Sequence, residues 1–281
     1  MTRLWYCIAL AHPNGTRAYV AAQGEHLGIA IAAAEAHHKK SRAVAAAVCA
    51  ESEIPLGDSV GKSSVVELPA EPELAAATTP FPWPVGTLPQ LGQESALVEA
   101  RTGYLERPEG ELYVVEIQVP ADRLVDTFLG LIERLPAADN LEVKLLDHFE
   151  DTGRTDVWIT SRVDAKQIIR FLDDHDDDLL HNGHVEVAVY LRTQRATLRL
   201  TEHKTIVWVA DDRALAADLA KWLAALKVPA VATLTTIAAV PHFHYRIGTS
   251  KDRKKLADTL FRQRLRRVDT TRPTMRPLTA G

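Results

Sequence analysis

Hydrophobic and polar positions follow a regular order in the centre of the chain, between residues 111 and 227. Short β-branched runs alternate there with blocks whose apolar residues recur at helical spacing, such as Leu124, Phe128 and Leu131. The resulting order is strand, helix, strand, strand, helix, strand, which is the ferredoxin-like or split βαβ pattern. This pattern predicts one antiparallel sheet with both helices on one face. The four predicted strands are residues 112–119, 141–148, 156–161 and 184–191.

The same kind of pattern continues beyond these four strands. Two further strands are predicted at 196–200 and 205–210, followed by a helix that begins at an aspartate and by an apolar, β-branched run at 231–240. We therefore predict an α+β fold in which the ferredoxin-like (βαββαβ) sheet is extended by a further ββαβ unit. The predicted central α+β domain spans 111–248.

The first fifty residues predict a smaller unit with the order hairpin, helix, strand. Two β-favouring runs flank Asn14 and Gly15, and an Asn-Gly pair between such runs is a strong hairpin signal. Leu27 and Ile31 then share one face of a predicted helix, and an apolar run follows it. We predict a small N-terminal ββαβ unit at 1–50.

Between the two predicted units, residues 51–95 form a Pro-rich segment without a period of 2 or 3.6. Such a segment is typical of a linker or an irregular strap. Phe81 and Trp83 lie between its prolines, and aromatic residues in an extended stretch often bind a surface. They either anchor the strap on its own domain or bind a partner.

The C-terminal end carries a concentration of positive charge. Residues 249–281 contain ten Lys or Arg and three Asp, which leaves the preceding 248 residues at a net −11 out of the total of −4. Residues 250–268 predict a basic amphipathic helix with Ser250 as N-cap and an apolar stripe, and residues 269–281 predict a disordered tail. The apolar stripe consists of Leu256, Leu260, Phe261 and Leu265.

The arginines of this helix allow three interpretations. They could contact the phosphates of a nucleic acid, the protein's own acidic body, or an acidic partner whose groove takes the apolar stripe. Docking on protein is favoured because an apolar stripe needs burial. The predicted partner-binding arginines are Arg262, Arg264, Arg266 and Arg267.

Composition places the chain among ordinary globular proteins. Hydrophobic residues make up 46% and charged residues 25% of the 281 residues, and charges interrupt every apolar run before it reaches membrane-spanning length. The only cysteines are Cys7 and Cys49, which suits a reducing compartment. We expect a cytoplasmic protein without a membrane partner, and heavy use of Ala and Arg suggests a bacterial source.

One motif resembles a phosphate-binding loop without meeting its requirements. Gly57 and Gly61-Lys62-Ser63 have three residues between the glycines, whereas the loop needs four so that its backbone amides can surround a phosphate. The following residues favour a strand where the loop would need a helix. We therefore predict a polar turn and no cofactor.

Eleven histidines suggest a metal site. In a strand, residues two apart face the same side, so His242 and His244 could reach one ion. A third ligand at a recognisable spacing is missing. His181 and His184 form a weaker pair, and His175 among its aspartates indicates a solvated helix face.

No nucleophile elbow and no activated cysteine occur, so the sequence provides no catalytic residue. The favoured function is a non-enzymatic protein-binding module, such as a bacterial adaptor, regulatory subunit or toxin-immunity protein. One alternative is a metal-dependent or acid–base hydrolase that uses the His-rich region. Another is nucleic-acid binding through the basic C-terminal helix.

Overall fold

The computed structural model describes residues 3–54, 64–69, 81–92, 102–107, 109–151 and 153–268. The fold is α+β, with antiparallel sheets and few helices. The strands are β1 (Leu4–Ala11), β2 (Arg17–Gly24), β3 (Arg42–Cys49), β4 (Val65–Leu68), β5 (Thr87–Pro89), β6 (Gly103–Glu106), β7 (Tyr113–Gln118), β8 (Asn140–Leu145), β9 (Asp156–Ile159), β10 (Val185–Leu191), β11 (Ala196–Leu200), β12 (Ile206–Ala210), β13 (His242–His244) and β14 (Arg266–Val268). The α-helices are α1 (Leu27–His37), α2 (Leu124–Arg134), α3 (Ala165–Asp173), α4 (Asp176–Leu179), α5 (Ala216–Ala225) and α6 (Arg253–Arg262).

The N-terminal strands form a four-stranded sheet in the order β3-β1-β2-β4. The predicted hairpin joins β1 to β2, with Gly15 at a positive φ of 83° where a side chain would be strained. Helix α1 covers one face of this sheet, where its Ile31 packs with Ile8 and Leu10 in a shared core. Strand β5, from the predicted strap, lies beside β3 and pairs with β13.

The larger sheet has eight strands in the order β14-β9-β8-β10-β11-β12-β7-β6, all paired antiparallel. Its strands alternate between two faces, as β8 illustrates with Leu141 and Val143 buried and Glu142 and Lys144 on the other side. The apolar face packs against helices α2, α3, α5 and α6 in the main core. The other face carries charged side chains over its central strands.

The ferredoxin-like strand order is not confirmed. That order would place β7 next to β9 and β10, but β11 and β12 lie between β7 and β10. Short connections join β10, β11 and β12, and strands joined by tight turns pair with their neighbours in sequence. The supposed extension therefore occupies the middle of the sheet, and β12 rather than β10 pairs with β7.

Residues 231–240 were expected to be the last strand of the central domain, and this expectation is wrong. Side chains take up the backbone polar groups that a strand would use in pairing. Gln118 Nε2 donates to the carbonyl of Thr235 at 2.8 Å, and the amide of Ile237 donates to Gln118 Oε1 at 3.2 Å. Arg107 donates to the carbonyl of Leu234 at 3.1 Å. The next strand begins at residue 242.

The predicted basic helix is shorter than expected. Its N-cap is Asp252, whose carboxylate accepts from the Lys255 amide at 2.8 Å, whereas Ser250 donates to the carbonyl of Asp177 at 2.6 Å. The chain leaves the helix after residue 262 and forms β14. Most of the apolar stripe is buried in the main core, but Phe261 is 72% exposed.

The predicted division into units stays a prediction. Within the predicted strap, 65–68 and 87–89 are short strands, and the first of these extends the N-terminal sheet. The motif at 57–63 and the predicted tail at 269–281 lie outside the described residues. Among the helices that the structure describes, none is long and apolar enough to cross a membrane.

A buried ion pair fixes helix α6 to the large sheet. The Nε and Nη2 atoms of Arg253 lie 3.2 and 2.7 Å from Asp156 Oδ2, and Nη1 donates to the carbonyl of Leu146 at 2.6 Å. Both partners are almost fully buried. A charge of this kind is tolerated in an interior only while its partner remains.

We predict that Arg253→Ala destabilises the protein by about 3 kcal/mol, because it removes the buried partner of the Asp156 carboxylate, and the half-exposed Arg267 that also contacts this carboxylate does not replace it. Arg262→Ala, on the same helix but exposed, is the matched control and should change the unfolding free energy by less than about 0.5 kcal/mol. Urea denaturation followed by circular dichroism measures both. Equal effects of the two substitutions would contradict the assignment.

Candidate metal centre

Five histidines converge at one end of the large sheet. His148 follows β8, His184 precedes β10, and His203 lies in the turn between β11 and β12. These strand ends are adjacent because the sheet is antiparallel, with Leu145 opposite Val185 and Leu200 opposite Ile206. Strand β13 brings His242 and His244 against them, and the centroid of each of these two rings lies 5.0 Å from the ring centroid of His203.

Alternation along β13 separates its two faces. His242 and His244 point to the same side, as expected from their spacing. Phe243 and Tyr245 pack against the core of the N-terminal sheet. The strand thus lies between that core and the histidine cluster.

Hydrogen bonds determine which nitrogen of each β13 histidine carries the proton. Nδ1 of His242 lies 2.5 Å from the carbonyl oxygen of Val240, and Nδ1 of His244 lies 2.7 Å from that of Gly183. A carbonyl oxygen only accepts, so both Nδ1 atoms must donate. In the neutral rings the lone pairs are therefore on the Nε2 atoms, which lie 3.0 Å apart. Two facing lone pairs repel each other unless a cation or a proton lies between them.

His203 supplies a third potential donor beside His242 and His244. One ring nitrogen from each of His203, His242 and His244 lies within 4.8 Å of the others. For comparison, two nitrogens bound to one tetrahedral zinc ion at about 2.0–2.1 Å are about 3.3 Å apart. The Nε2 atoms of His242 and His244 are already near that separation, at 3.0 Å, so a rearrangement of the rings would suffice to bring all three nitrogens to one ion.

His148 and Glu202 form a second group of donors that shares His244. His148 Nδ1 lies 3.2 Å from Asp147 Oδ1, and its buried Nε2 makes no hydrogen bond to any residue that the structure describes. Nε2 lies 3.5 Å from Glu202 Oε2. A carboxylate that accepts from one ring nitrogen of a histidine, as Asp147 does here, is a recurring feature of metal sites. The side chains of His148, Glu202 and His203 are 36%, 23% and 27% exposed, so this side of the cluster reaches solvent.

Burial keeps three histidines of the cluster, His184, His203 and His244, uncharged. It lowers the pKa of His203 to about 4 and the pKa of His244 to about 3, and neighbouring histidines lower both further. Burial also lowers the pKa of His184 to about 3 and raises the pKa of Glu202. Neutral imidazoles are the form that binds metal ions.

A close meeting of three backbone segments positions the cluster. The Gly183 amide donates to the Tyr245 carbonyl, and the Tyr245 amide donates to the Gly86 carbonyl, both at 2.9 Å. A Cβ atom on Gly183 would lie 1.9 Å from the carbonyl oxygen of Gly86. The fully buried Lys204 supports this meeting by donating to the Asn182 carbonyl at 2.6 Å, and burial lowers its pKa to about 7.

Two other groups of potential donors are less suited to an ion. His37 and His38 direct their Nε2 atoms to the same Glu67 oxygen, at 3.1 and 2.8 Å, on an exposed surface. His181, grouped with Asp176 and Asp177, contacts only Asp177 at 3.5 Å through its ring. Among the residues that the structure describes, no carbonyl acceptor fixes the rings of either group, whereas carbonyls fix both histidines of β13. His175 contacts the ring of Phe171 and lies outside these groups.

The predicted partner-binding residues are divided between the interior and the surface. Phe81 and Trp83 are buried in a cluster with Ile237 and Val240, and Trp83 also approaches the ring of His242 at 6.1 Å. At the other end of the chain, Phe261 is exposed. The arginines Arg262, Arg264, Arg266 and Arg267 are exposed too, and Arg267 contacts Asp156.

Sequence reasoning missed His148, Glu202 and His203. His148 lies in the loop after β8, whereas Glu202 and His203 lie 54 and 55 residues further along the chain, between β11 and β12. No short sequence motif therefore relates them. The available signal was their position at strand ends: in an antiparallel sheet, the end of β8 and the turn after β11 lie at the same edge. Without the strand order, that signal cannot be used.

Comparisons with protein-family models, with curated proteins and with solved structures found no match to this chain.

We predict that Gly183→Ala destabilises the protein by about 3 kcal/mol, because the new methyl group collides with the Gly86 carbonyl. Gly153→Ala is the control: its Cβ has no atom within 4 Å and meets only the strain of a φ of +64°, at about 1 kcal/mol. Thermal unfolding of both variants measures the difference. A smaller effect at residue 183 than at residue 153 would contradict the close approach.

Proposed function

We propose that the protein is a metal-dependent hydrolase whose ion is bound by His203, His242 and His244. The observation that supports this most is the pair of Nε2 atoms 3.0 Å apart, each on a ring whose Nδ1 is held by a backbone carbonyl. Rings oriented through Nδ1 are the usual arrangement of metal-binding histidines. A proton shared between the two Nε2 atoms would also explain their short distance, and metal titration distinguishes a shared proton from a bound ion.

The donor set favours a late first-row divalent ion. Imidazole nitrogens suit zinc, copper, nickel and iron, whereas calcium and magnesium prefer oxygen ligands. His244 supplies only one nitrogen, since its Nδ1 is bonded to Gly183, so the two overlapping donor groups describe one ion. We take zinc as the reference ion for the tests.

Glu202 and His148 give the proposed site its chemistry. Three protein ligands leave a zinc ion with a position for water, and zinc lowers the pKa of that water to about 7. Glu202 lies at the solvent-facing side of the cluster, and burial raises its pKa, which suits a general base. His148 lies near both Glu202 and His244, and because its Nδ1 donates to Asp147, its neutral ring keeps a lone pair on Nε2 that would accept a hydrogen bond from the ion's water.

We therefore prefer a hydrolase to the protein-binding module that the sequence alone favours. Burial of Phe81, Trp83 and most of the C-terminal apolar stripe supports anchoring within the chain. Binding of a protein or a nucleic acid through Phe261 and the neighbouring exposed arginines stays a prediction.

We predict that the protein, stripped of metal and titrated with zinc chloride, binds one ion per chain. The double substitution His242→Ala with His244→Ala should remove this binding, because it deletes two of the three ligands. Calorimetric titration and elemental analysis after gel filtration give the stoichiometry.

The matched control is His37→Ala with His38→Ala, which removes the histidine pair beside Glu67 and should leave one zinc per chain. If wild type and both double variants bind zinc equally, the proposed centre is wrong. Absence of binding in the wild type would favour the shared proton instead.

We predict that the zinc-loaded protein hydrolyses 4-nitrophenyl acetate, an activated ester, and that Glu202→Gln lowers kcat by at least about 100-fold through loss of the general base. Zinc content should stay at one ion per chain in this variant. Glu67→Gln, in the exposed histidine group, is the control and should retain full activity. Bound zinc without any ester hydrolysis would overturn the hydrolytic class while leaving the metal centre in place.

A further inference from the structure

A cavity of about 530 Å³ lies on the opposite side of β13 from the histidine cluster. Its walls come from α1, β3, the segment 81–88 and residues 245–248. A volume of this size falls within the range of small-molecule sites, roughly 300–1,000 Å³. The cavity therefore has the capacity for a ligand of its own.

The interior of the cavity is mostly apolar. Ile31, Phe81, Val85, Leu88 and Ile247 line it, and burial there favours a hydrophobic ligand body. Tyr245 also lines the wall, and burial raises its pKa, so its phenol stays neutral.

Two charged residues lie in the wall, and their surroundings differ. The Glu35 carboxylate accepts a hydrogen bond from the Ala43 amide at 2.8 Å, which occupies part of its acceptor capacity. Arg42 is exposed and donates through Nη2 to the Trp83 carbonyl at 2.6 Å. It forms no ion pair with any residue that the structure describes, so most of its five N–H donors remain for a ligand.

We infer that this cavity binds a small amphipathic anion, with its apolar body between α1 and the 81–88 segment and its carboxylate or sulfonate at Arg42. A guanidinium presents paired donors that match such an anionic head. The carbonyl of Trp83 fixes the guanidinium at the cavity. This site is separate from the histidine cluster and does not depend on the proposed metal chemistry.

Two naphthalene dyes of similar shape test the inference. 1-Anilinonaphthalene-8-sulfonate carries a sulfonate, and N-phenyl-1-naphthylamine has the same ring system without a charge. Fluorescence titration of the full chain should show saturable binding of both dyes at one site, with at least fivefold tighter binding of the sulfonate. Arg42→Ala should remove this preference, and Arg42→Lys should restore part of it.

Ala32→Phe, on the α1 wall, should fill the cavity and weaken both dyes at least tenfold. Ala217→Phe makes the same change at an exposed position of α5 and should leave binding unchanged. Circular dichroism confirms that each variant is folded, and added EDTA should leave dye binding unaffected. Equal binding by Ala32→Phe and wild type would overturn the cavity as the site. Equal affinity for the two dyes, unaltered by Arg42→Ala, would overturn the anionic class of ligand.

Discussion

The close approach of the backbone at Gly86, Gly183 and Tyr245 is the contact on which the rest of the structure depends. It joins three segments that are distant in the chain: the end of the predicted strap, the turn before β10 and the strand β13. Only glycines permit it, since a Cβ at residue 183 would occupy the place of a carbonyl oxygen. The same meeting places the Gly183 carbonyl where it orients His244, so the backbone geometry and the proposed metal centre have one origin.

The polar groups around this contact are held in a low-dielectric environment. Lys204 is fully buried and depends on the Asn182 carbonyl, whereas the neighbouring histidines remain neutral because burial lowers their pKa values. In water, facing imidazoles would reorient or take up protons. Here the carbonyls of Val240 and Gly183 hold the rings, which would preorganise their Nε2 atoms for the proposed ion. Preorganisation of this kind reduces the reorganisation that binding would otherwise require.

The sequence predicted most individual elements and the shared side of His242 and His244, because strand and helix periods are local properties. It did not predict the strand order, since β11 and β12 enter the middle of the sheet through pairings that periodicity cannot reveal. It also did not predict His203, Glu202 and His148, which become neighbours only once that order is known. Residues 231–240 show a further limit: their β-branched composition favours a strand, but Gln118 and Arg107 bind their backbone.

Strand β13 separates the proposed metal centre from the apolar core of the N-terminal sheet. With three residues, it has one register with β5, in which His244 is opposite Thr87 and Phe243 is opposite Leu88. A shift by one residue would place the histidines in the N-terminal core and Phe243 among the proposed ligands. Packing of the partly buried Phe243 and Tyr245 against that core therefore favours the register that presents both histidines to His203. The apolar contacts of one sheet thereby determine the polar site at the end of the other.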